Sequence, residues 1–186
     1  MIEIPLTRGY VAIVDDCDSD LAQYKWSTEV NRSASGGVCR YYAKRADCTN
    51  KKKKHVVMHN VILERILGRP LLKGEFCDHI HHNGLDNRRS EIRLADQCQN
   101  NQNRRLQKNN TSGYKGVWKE KGRNSWRAKI DVNSKTIRLG KFSTPEEAYA
   151  AYCEAAIKYH GEFANFGTVK PATIIQLPLF DLDKGA

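Results

Sequence analysis

The sequence predicts an α+β chain built in three stretches: a small N-terminal β-sheet, a strand–loop–strand–helix (ββα) unit, and a three-stranded antiparallel sheet packed on one helix. Three observations predict it. Residues 77–103 read CDHIHHNGLDNRRSEIRLADQCQNNQN, in which turn formers separate two short apolar runs and a helix-start signal follows. Residues 125–132 alternate apolar and charged side chains, and Asn133-Ser134 joins them to a second strand-like run. Residues 144–161 then carry a capping box, a helical stripe of small apolar side chains and a terminating glycine. The expected divisions are 1–57, 58–107, a linker at 108–113, 114–167 and a tail at 168–186.

Residues 1–57 read as β-rich. Ile2-Glu3-Ile4 and residues 10–14 are strand-like, and residues 38–43 and 55–58 suggest further strands. Asp15, Asp16, Asp18 and Asp20 are expected to make turns and cap a helix, because as a calcium loop the run lacks the glycine and the final glutamate. The lysines of 51–54 are expected in a solvated hairpin loop, with contact to a DNA backbone as the other reading. Met58–Leu67 has helical order in Val61, Ile62 and Ile66, and Gly68 and Pro70 stop it.

Residues 75–80 and 91–94 are the two strands of the central unit, with Asn83-Gly84 and Asp86-Asn87 supplying its turn. Asp96 with Gln99 forms a capping-box pattern that opens a helix expected to reach residue 107. Asn100 then sits near the positive end of the helix dipole. A carboxylate and an amide oxygen, Asp78 and Asn100, suit magnesium, which keeps water and phosphate in its remaining positions. Manganese is compatible with the same oxygen donors. Beside such an ion His79, whose ordinary pKa is about 6.5, is placed to take a proton from a water attacking phosphorus. Cys77, His79, His81 and His82 offer zinc-type donors, but four ligands so close in sequence do not readily form a tetrahedron and the chain has no C-x-x-C pair; zinc is not expected.

These residues carry a resemblance. Asp78, His79, Asn83, Asp86, Asn87, Arg88, Arg93, Leu94, Gln99 and Asn100 follow the pattern D-H-x-x-x-N-x-x-D-N-R-x-x-x-x-R-L-x-x-x-x-Q-N, and the chain resembles the HNH nucleases, particularly the phage and prophage homing endonucleases. The resemblance implies a ββα-metal unit at 58–107, Asp78 and Asn100 as metal ligands, His79 as general base, and Asn87, His59 and Arg93 as supports of the loop and the phosphate. Many members of that family have Asn where this chain has Glu91, a residue that holds the loop in shape; Asn87 is the expected substitute.

The next segment is compact. After the polar linker at 108–113, residues 114–118, 125–132 and 135–142 read as strands. Trp126, Ala128, Ile130 and Val132 share one face of the second strand, and Arg127, Lys129 and Asp131 the other. Thr144 is the expected N-cap, Pro145 the first helical residue and Glu147 the partner of the capping box; Ala148, Ala151, Tyr152, Ala155, Ala156 and Tyr159 form one stripe, and Gly161 ends the helix. The opposite sheet face, with Arg127, Lys129 and Arg138, has the form to enter a major groove. The motifs Tyr114-x-Gly116-Val117, Trp126-x-Ala128-x-Ile130 and Leu139-Gly140-x-Phe142-x-Thr144-x-Glu146-Glu147-Ala148, with Ala155-Ala156, Gly161, Ala164 and Phe166, resemble the AP2 domain (AP2/ERF type) of plant transcription factors. That resemblance implies DNA-facing positions at Lys115, Lys129, Asp131, Thr136 and Arg138, with no target sequence attached. Trp118 and Trp126 suit either core or interface, and Trp126, on the apolar face, is expected in the core.

A formal charge of +10 and a pI near 9.4 favour a polyanionic partner, since neutralised phosphates release condensed counterions. Arg104 and Arg105, on the amide-rich helix after Asp96, are expected along the same backbone. Cys17, Cys39, Cys48, Cys77, Cys98 and Cys153 lack paired spacing, and no apolar run approaches the ~20 residues of a membrane span, so a cytoplasmic setting with reduced thiols is expected; the resemblance implies a phage or prophage protein in a bacterial host. The expected function is metal-dependent cleavage of double-stranded DNA, monomer or dimer left open, with a separate reader. The alternative is a non-catalytic DNA-binding regulator on a degenerate HNH fold; an RNA-directed nuclease fits less well, because a sheet reader suits the wide B-form groove.

Overall fold

A computed structural model describes residues 1–32, 38–47, 54–107 and 109–167. The lysines at 51–53 and the apolar tail from 168 lie outside the described residues. The chain divides into two compact units, Met1–Gln97 and Cys98–Ala186.

In the first unit, β1 (Ile2–Pro5) and β2 (Val11–Val14) pair antiparallel, and β3 (Ser27–Arg32), β4 (Val38–Asp47) and β5 (Lys54–Val57) form a second sheet in the order β3-β4-β5. The helix α1 (Met58–Leu67) ends at Gly68, which takes the left-handed conformation at φ 64°. A two-stranded antiparallel ribbon follows, β6 (Phe76–His79) on β7 (Ile92–Ala95), with Asp78 opposite Arg93 and His79 opposite Ile92. One core joins these parts: Ile4, Val14 and Trp26 pack with Met58 and Ile62 of α1 and with Ile92 of β7. Each such fully buried large side chain contributes about 1.5–3 kcal/mol, so the sheets of residues 1–57 and the ribbon stand or fall together.

Two features of this unit depart from expectation. Strand β3 was not anticipated, because Ser27, Thr28, Glu29, Asn31 and Arg32 carry no alternating apolar signal; its place comes from pairing with β4 and from Thr28, whose amide and hydroxyl bond to Thr7 at 3.0 and 2.7 Å. The aspartates of 15–20 do not cap a helix through their side chains. They open a 3-10 helix, Asp16–Gln23, in which Asp15 makes no capping bond and Asp18 is fully buried. Asp18 instead receives Arg65 at 2.8 Å and Arg89 at 2.8 Å, partners too distant in sequence for local patterning to reveal.

The second unit carries all but the first residue of α2 (Gln97–Gln102), a sheet of β8 (Val117–Lys119), β9 (Trp126–Val132) and β10 (Lys135–Phe142) in the order β10-β9-β8, and α3 (Pro145–His160). The turn between β9 and β10 is the expected two-residue one, with Asn133 and Ser134 both at positive φ, 47° and 64°. The capping box of α3 also forms: Thr144 Oγ1 accepts from the Glu147 amide at 3.2 Å, and Glu147 Oε2 accepts from the Thr144 amide at 3.3 Å. The buried stripe of α3 is wider than expected, because Tyr149 is 1% exposed and bonds through its hydroxyl to the Phe166 carbonyl, while Tyr159 is 40% exposed.

Helix α2 and strand β8 are both shorter than expected. Helix α2 stops at Gln102 instead of running on to 107, and β8 begins at Val117 instead of 114. Gly116 explains the second: at φ 73° it turns the chain into β8, and a Cβ there would lie 2.2 Å from the Tyr152 ring and 2.6 Å from the Lys129 carbonyl.

Candidate active site and nucleic-acid interface

Five of the predicted site residues meet in the first unit. Asp78 and His79 are consecutive on β6, so their side chains leave opposite faces of the ribbon, and both are nearly buried. Across the ribbon, Arg93 donates from Nε and Nη2 to Asp78 Oδ2, each at 3.0 Å. His79 Nε2 lies 3.2 Å from Asn87 Oδ1. The Asn87 amide is oriented by its own nitrogen, which donates to the Leu85 carbonyl at 3.3 Å and approaches Met58 Sδ at 3.5 Å. Its oxygen therefore faces the imidazole, which fixes the proton on Nε2 and the lone pair on Nδ1.

Burial pushes the His79 imidazole below the ordinary histidine range, against the opposing effects of the Asn87 bond and the Asp78 charge. The ring is thus neutral at pH 7. His59, from α1, stands edge-on to it with ring centroids 5.0 Å apart, and Tyr42 of β4 closes the group at 5.1 Å from His59 and 5.9 Å from His79. Burial, then the neighbouring His79, pushes the His59 pKa down to about 3. Among the described residues its Nδ1 is buried without a hydrogen-bond partner, as are Arg45 Nε and His160 Nδ1.

The N-terminal sheets hold this arrangement. The Ile13 amide donates to the Leu85 carbonyl at 2.9 Å, the Asn87 amide donates to the Ile13 carbonyl at 2.8 Å, and Arg89 is anchored on Asp15 and Asp18. Gly84 lets the loop press onto β4, since a Cβ there would sit 2.3 Å from the Tyr41 carbonyl and 2.6 Å from the Tyr42 ring. Glu91, where the HNH resemblance leads one to expect Asn, lies 2.6 Å from His81 Nδ1 and 3.7 Å from Arg88. Tyr42 and Arg89 were not singled out by sequence reasoning, and Asp18 was read only as part of a turn and helix cap: nothing in a local pattern tells that β4 and the aspartate run brace a loop so far along the chain.

Magnesium can be tested against this donor set. Asp78 supplies the hard carboxylate oxygen that such an ion takes, with Arg93 donating to its Oδ2, and among the described residues no group of three or more His, Cys, Asp or Glu side chains is gathered as a metal cluster. Burial raises the Cys77 thiol to about 12, so it is a protonated, unreactive group. Asn100, the other expected ligand, lies on α2 and belongs to the second unit.

The expected DNA-facing residues lie in the second unit. Residues directly opposite in antiparallel strands share a face, so Trp118, Arg127 and Lys141 form one row across β8, β9 and β10, and Lys129 with Arg138 forms the next. Lys129, Arg138 and Lys141 are exposed. Arg127 is bound to Glu120 at 2.9 Å. Trp118 stands on this cationic face, while Trp126 packs against the core as expected. Exposed Arg104 and Arg105 follow α2 and line an open groove of about 640 Å³ with Lys115, Lys129, Trp118 and His160. Lys115 itself is turned inward: its ammonium donates to the carbonyls of Gln102 and Arg104 at 2.7 and 2.8 Å.

Comparison with known proteins adds to this geometry. Residues 112–162 match the AP2 domain, which supports DNA binding by the sheet-and-helix unit. Protein 3.8 of Escherichia phage T7 is 33% identical over 97 residues, covering 52% of this chain and 79% of that protein. The chain belongs to the Protein 3.8 family. Beyond Protein 3.8, an uncharacterized HNH endonuclease of Acanthamoeba polyphaga mimivirus is 34% identical over 107 residues, 58% of this chain. The chain spans 54% of that mimivirus protein's length. No solved structure matches the chain. Among the described residues, no helix is long and apolar enough to cross a membrane.

Proposed function

We propose that this member of the Protein 3.8 family is a metal-dependent DNA endonuclease of HNH type, of the phage homing kind, which cuts with its first unit and reads duplex DNA with its AP2 sheet inside the host cell. The observation that carries this reading is the His79–Asn87 pair: a buried, neutral imidazole, oriented by an amide, on the residue next to a buried carboxylate. That is the preparation a general base needs. The 34% identity to a protein named as an HNH endonuclease supports it.

Asp78 would hold a magnesium or manganese ion, with Asn100 as second ligand on the strength of the sequence pattern. A bound ion would polarise the phosphoryl oxygen and lower the charge on the leaving alkoxide. The chain's own residues do the rest. His79 Nδ1 takes the proton of the attacking water as its oxygen bonds to phosphorus and the bridging P–O bond breaks. Asn87 keeps Nε2 protonated and the ring in place, and the Asp78 charge favours the imidazolium that forms. Arg93 holds Asp78, and the unpartnered Nδ1 of His59 meets a phosphate oxygen or its water. On the AP2 face, Lys129, Arg138, Arg127 and Lys141 contact DNA, with Arg104 and Arg105 along the flanking backbone.

Two observations favour the regulator instead: Arg93 holds Oδ2 of Asp78, reducing its pull on a cation, and Glu91 replaces an amide in the loop. Nicking of supercoiled plasmid by purified protein decides between them. Cleavage in magnesium or manganese, abolished by chelator and by His79→Ala, establishes the nuclease; duplex binding with no cleavage in either metal makes the chain a regulator.

A further inference from the structure

A helix of six residues is too short to be stable by itself in water, and its last carbonyls have no partners within it. Helix α2 therefore depends on what holds its ends. At its C-terminal end the Lys115 ammonium, from the loop before β8, donates to the Gln102 carbonyl at 2.7 Å and to the Arg104 carbonyl at 2.8 Å. It places a positive charge where the helix dipole is negative. Between those two carbonyls, Asn165 Nδ2 donates to the Asn103 backbone and side-chain oxygens, each at 3.2 Å, and Asn103 is 4% exposed. The Asn165 amide is itself oriented, its Oδ1 accepting from the Gly167 amide at 2.8 Å. The carbonyls of Gln102, Asn103 and Arg104 are thus held by Lys115 and Asn165 where the helix ends.

We infer that Lys115 is a positioning residue: it fixes the end of α2 and, through that helix, Asn100, so that the DNA-reading unit carries one of the groups cleavage needs. The inference rests on the nuclease reading above. Lys115 stands in the Tyr114-x-Gly116-Val117 motif, where the AP2 resemblance implies a DNA contact, yet its ammonium is spent on the protein's own backbone. Burial lowers its pKa to about 8, consistent with a group withdrawn from solvent.

The test compares full-length wild type with Lys115→Met, Lys115→Arg and Asn165→Ala. Backbone hydrogen exchange is followed in peptides covering 97–107 and, as a control for folding, 117–142. Duplex affinity and single-turnover cleavage are measured beside it. The expected result is faster exchange at 97–107 alone in Lys115→Met and Asn165→Ala, duplex affinity within about threefold of wild type because the sheet contacts remain while Arg104 and Arg105 loosen, and a cleavage rate lower by about ten- to a hundred-fold at saturating DNA. Lys115→Arg, whose fork also spans two carbonyls, restores most of the rate. Unchanged exchange at 97–107, or a loss of duplex affinity in place of the loss of rate, overturns the inference. If wild type cuts no DNA in either metal while exchange still rises in the variants, the nuclease reading fails and the fastening of α2 stands.

Discussion

In the proposed reaction His79 must carry its proton on Nε2, and the Asn87 amide oxygen sets that tautomer. Asn87→Ala removes the amide oxygen and leaves Nε2 without its partner, so the ring loses both tautomer and orientation. A partner of this kind behind a reactive group is worth about 10–100-fold, and that is the expected fall in single-turnover cleavage, with duplex affinity unchanged. A second residue, Asp18, bears on stability. Burial alone would raise its carboxyl, but the hydrogen bonds from Arg89 and Arg65 outweigh this and hold it below the usual carboxylate range. Asp18→Asn removes the buried charge that Arg89 and Arg65 share, with Arg65 keeping Asp20 at 2.6 Å, and is expected to cost about 1–3 kcal/mol in urea unfolding. The sign of the pH effect follows from the depressed folded pKa. Asp18 stabilises fully above the unfolded carboxyl value of about 3.9, and the contribution disappears as pH falls through the folded value. Wild type therefore loses stability on acidification below about pH 4, and Asp18→Asn loses less over that range. His79, Asp78 and Asn87 could be picked out from spacing because they lie within ten residues of one another in sequence. Asp18 could not, since its partners are 47 and 71 positions away.

The elements differ in how openly the sequence declared them. Helices α1 and α3 and strand β10 are where their patterns put them, because each is signalled locally by a glycine stop, a capping box or a two-residue turn. Thr144→Ala, which breaks the capping box of α3, is expected to cost about 1 kcal/mol in thermal or urea unfolding, while Thr144→Ser restores most of it. Strand β3 and the end of α2 were not legible, and for one reason: both are decided by hydrogen bonds from far along the chain, β3 by β4 and Thr7, α2 by Lys115 and Asn165. The narrow stripe expected on α3 failed at Tyr149 for a related cause. Its hydroxyl finds a buried carbonyl at Phe166, so a polar ring becomes core.

Across the whole molecule, the charge of +10 is used in two ways. Arginines 65, 89 and 93 neutralise buried carboxylates of the first unit, whereas Lys129, Arg138 and Lys141 stand exposed on the AP2 sheet. The second group, with exposed Arg104 and Arg105, is available to release counterions from DNA. Duplex affinity is therefore expected to fall with salt, and Arg138→Ala to lower the slope of log K against log salt by about 1. The most direct measurement of the division of labour sets wild type, His79→Ala and Arg138→Ala side by side in duplex binding and magnesium-dependent cleavage. His79→Ala should bind duplex with wild-type affinity and leave it uncut, while Arg138→Ala should bind more weakly and cut at the wild-type rate once duplex saturates it. Equal loss of binding in both variants, or cleavage by His79→Ala at the wild-type rate, would contradict the account.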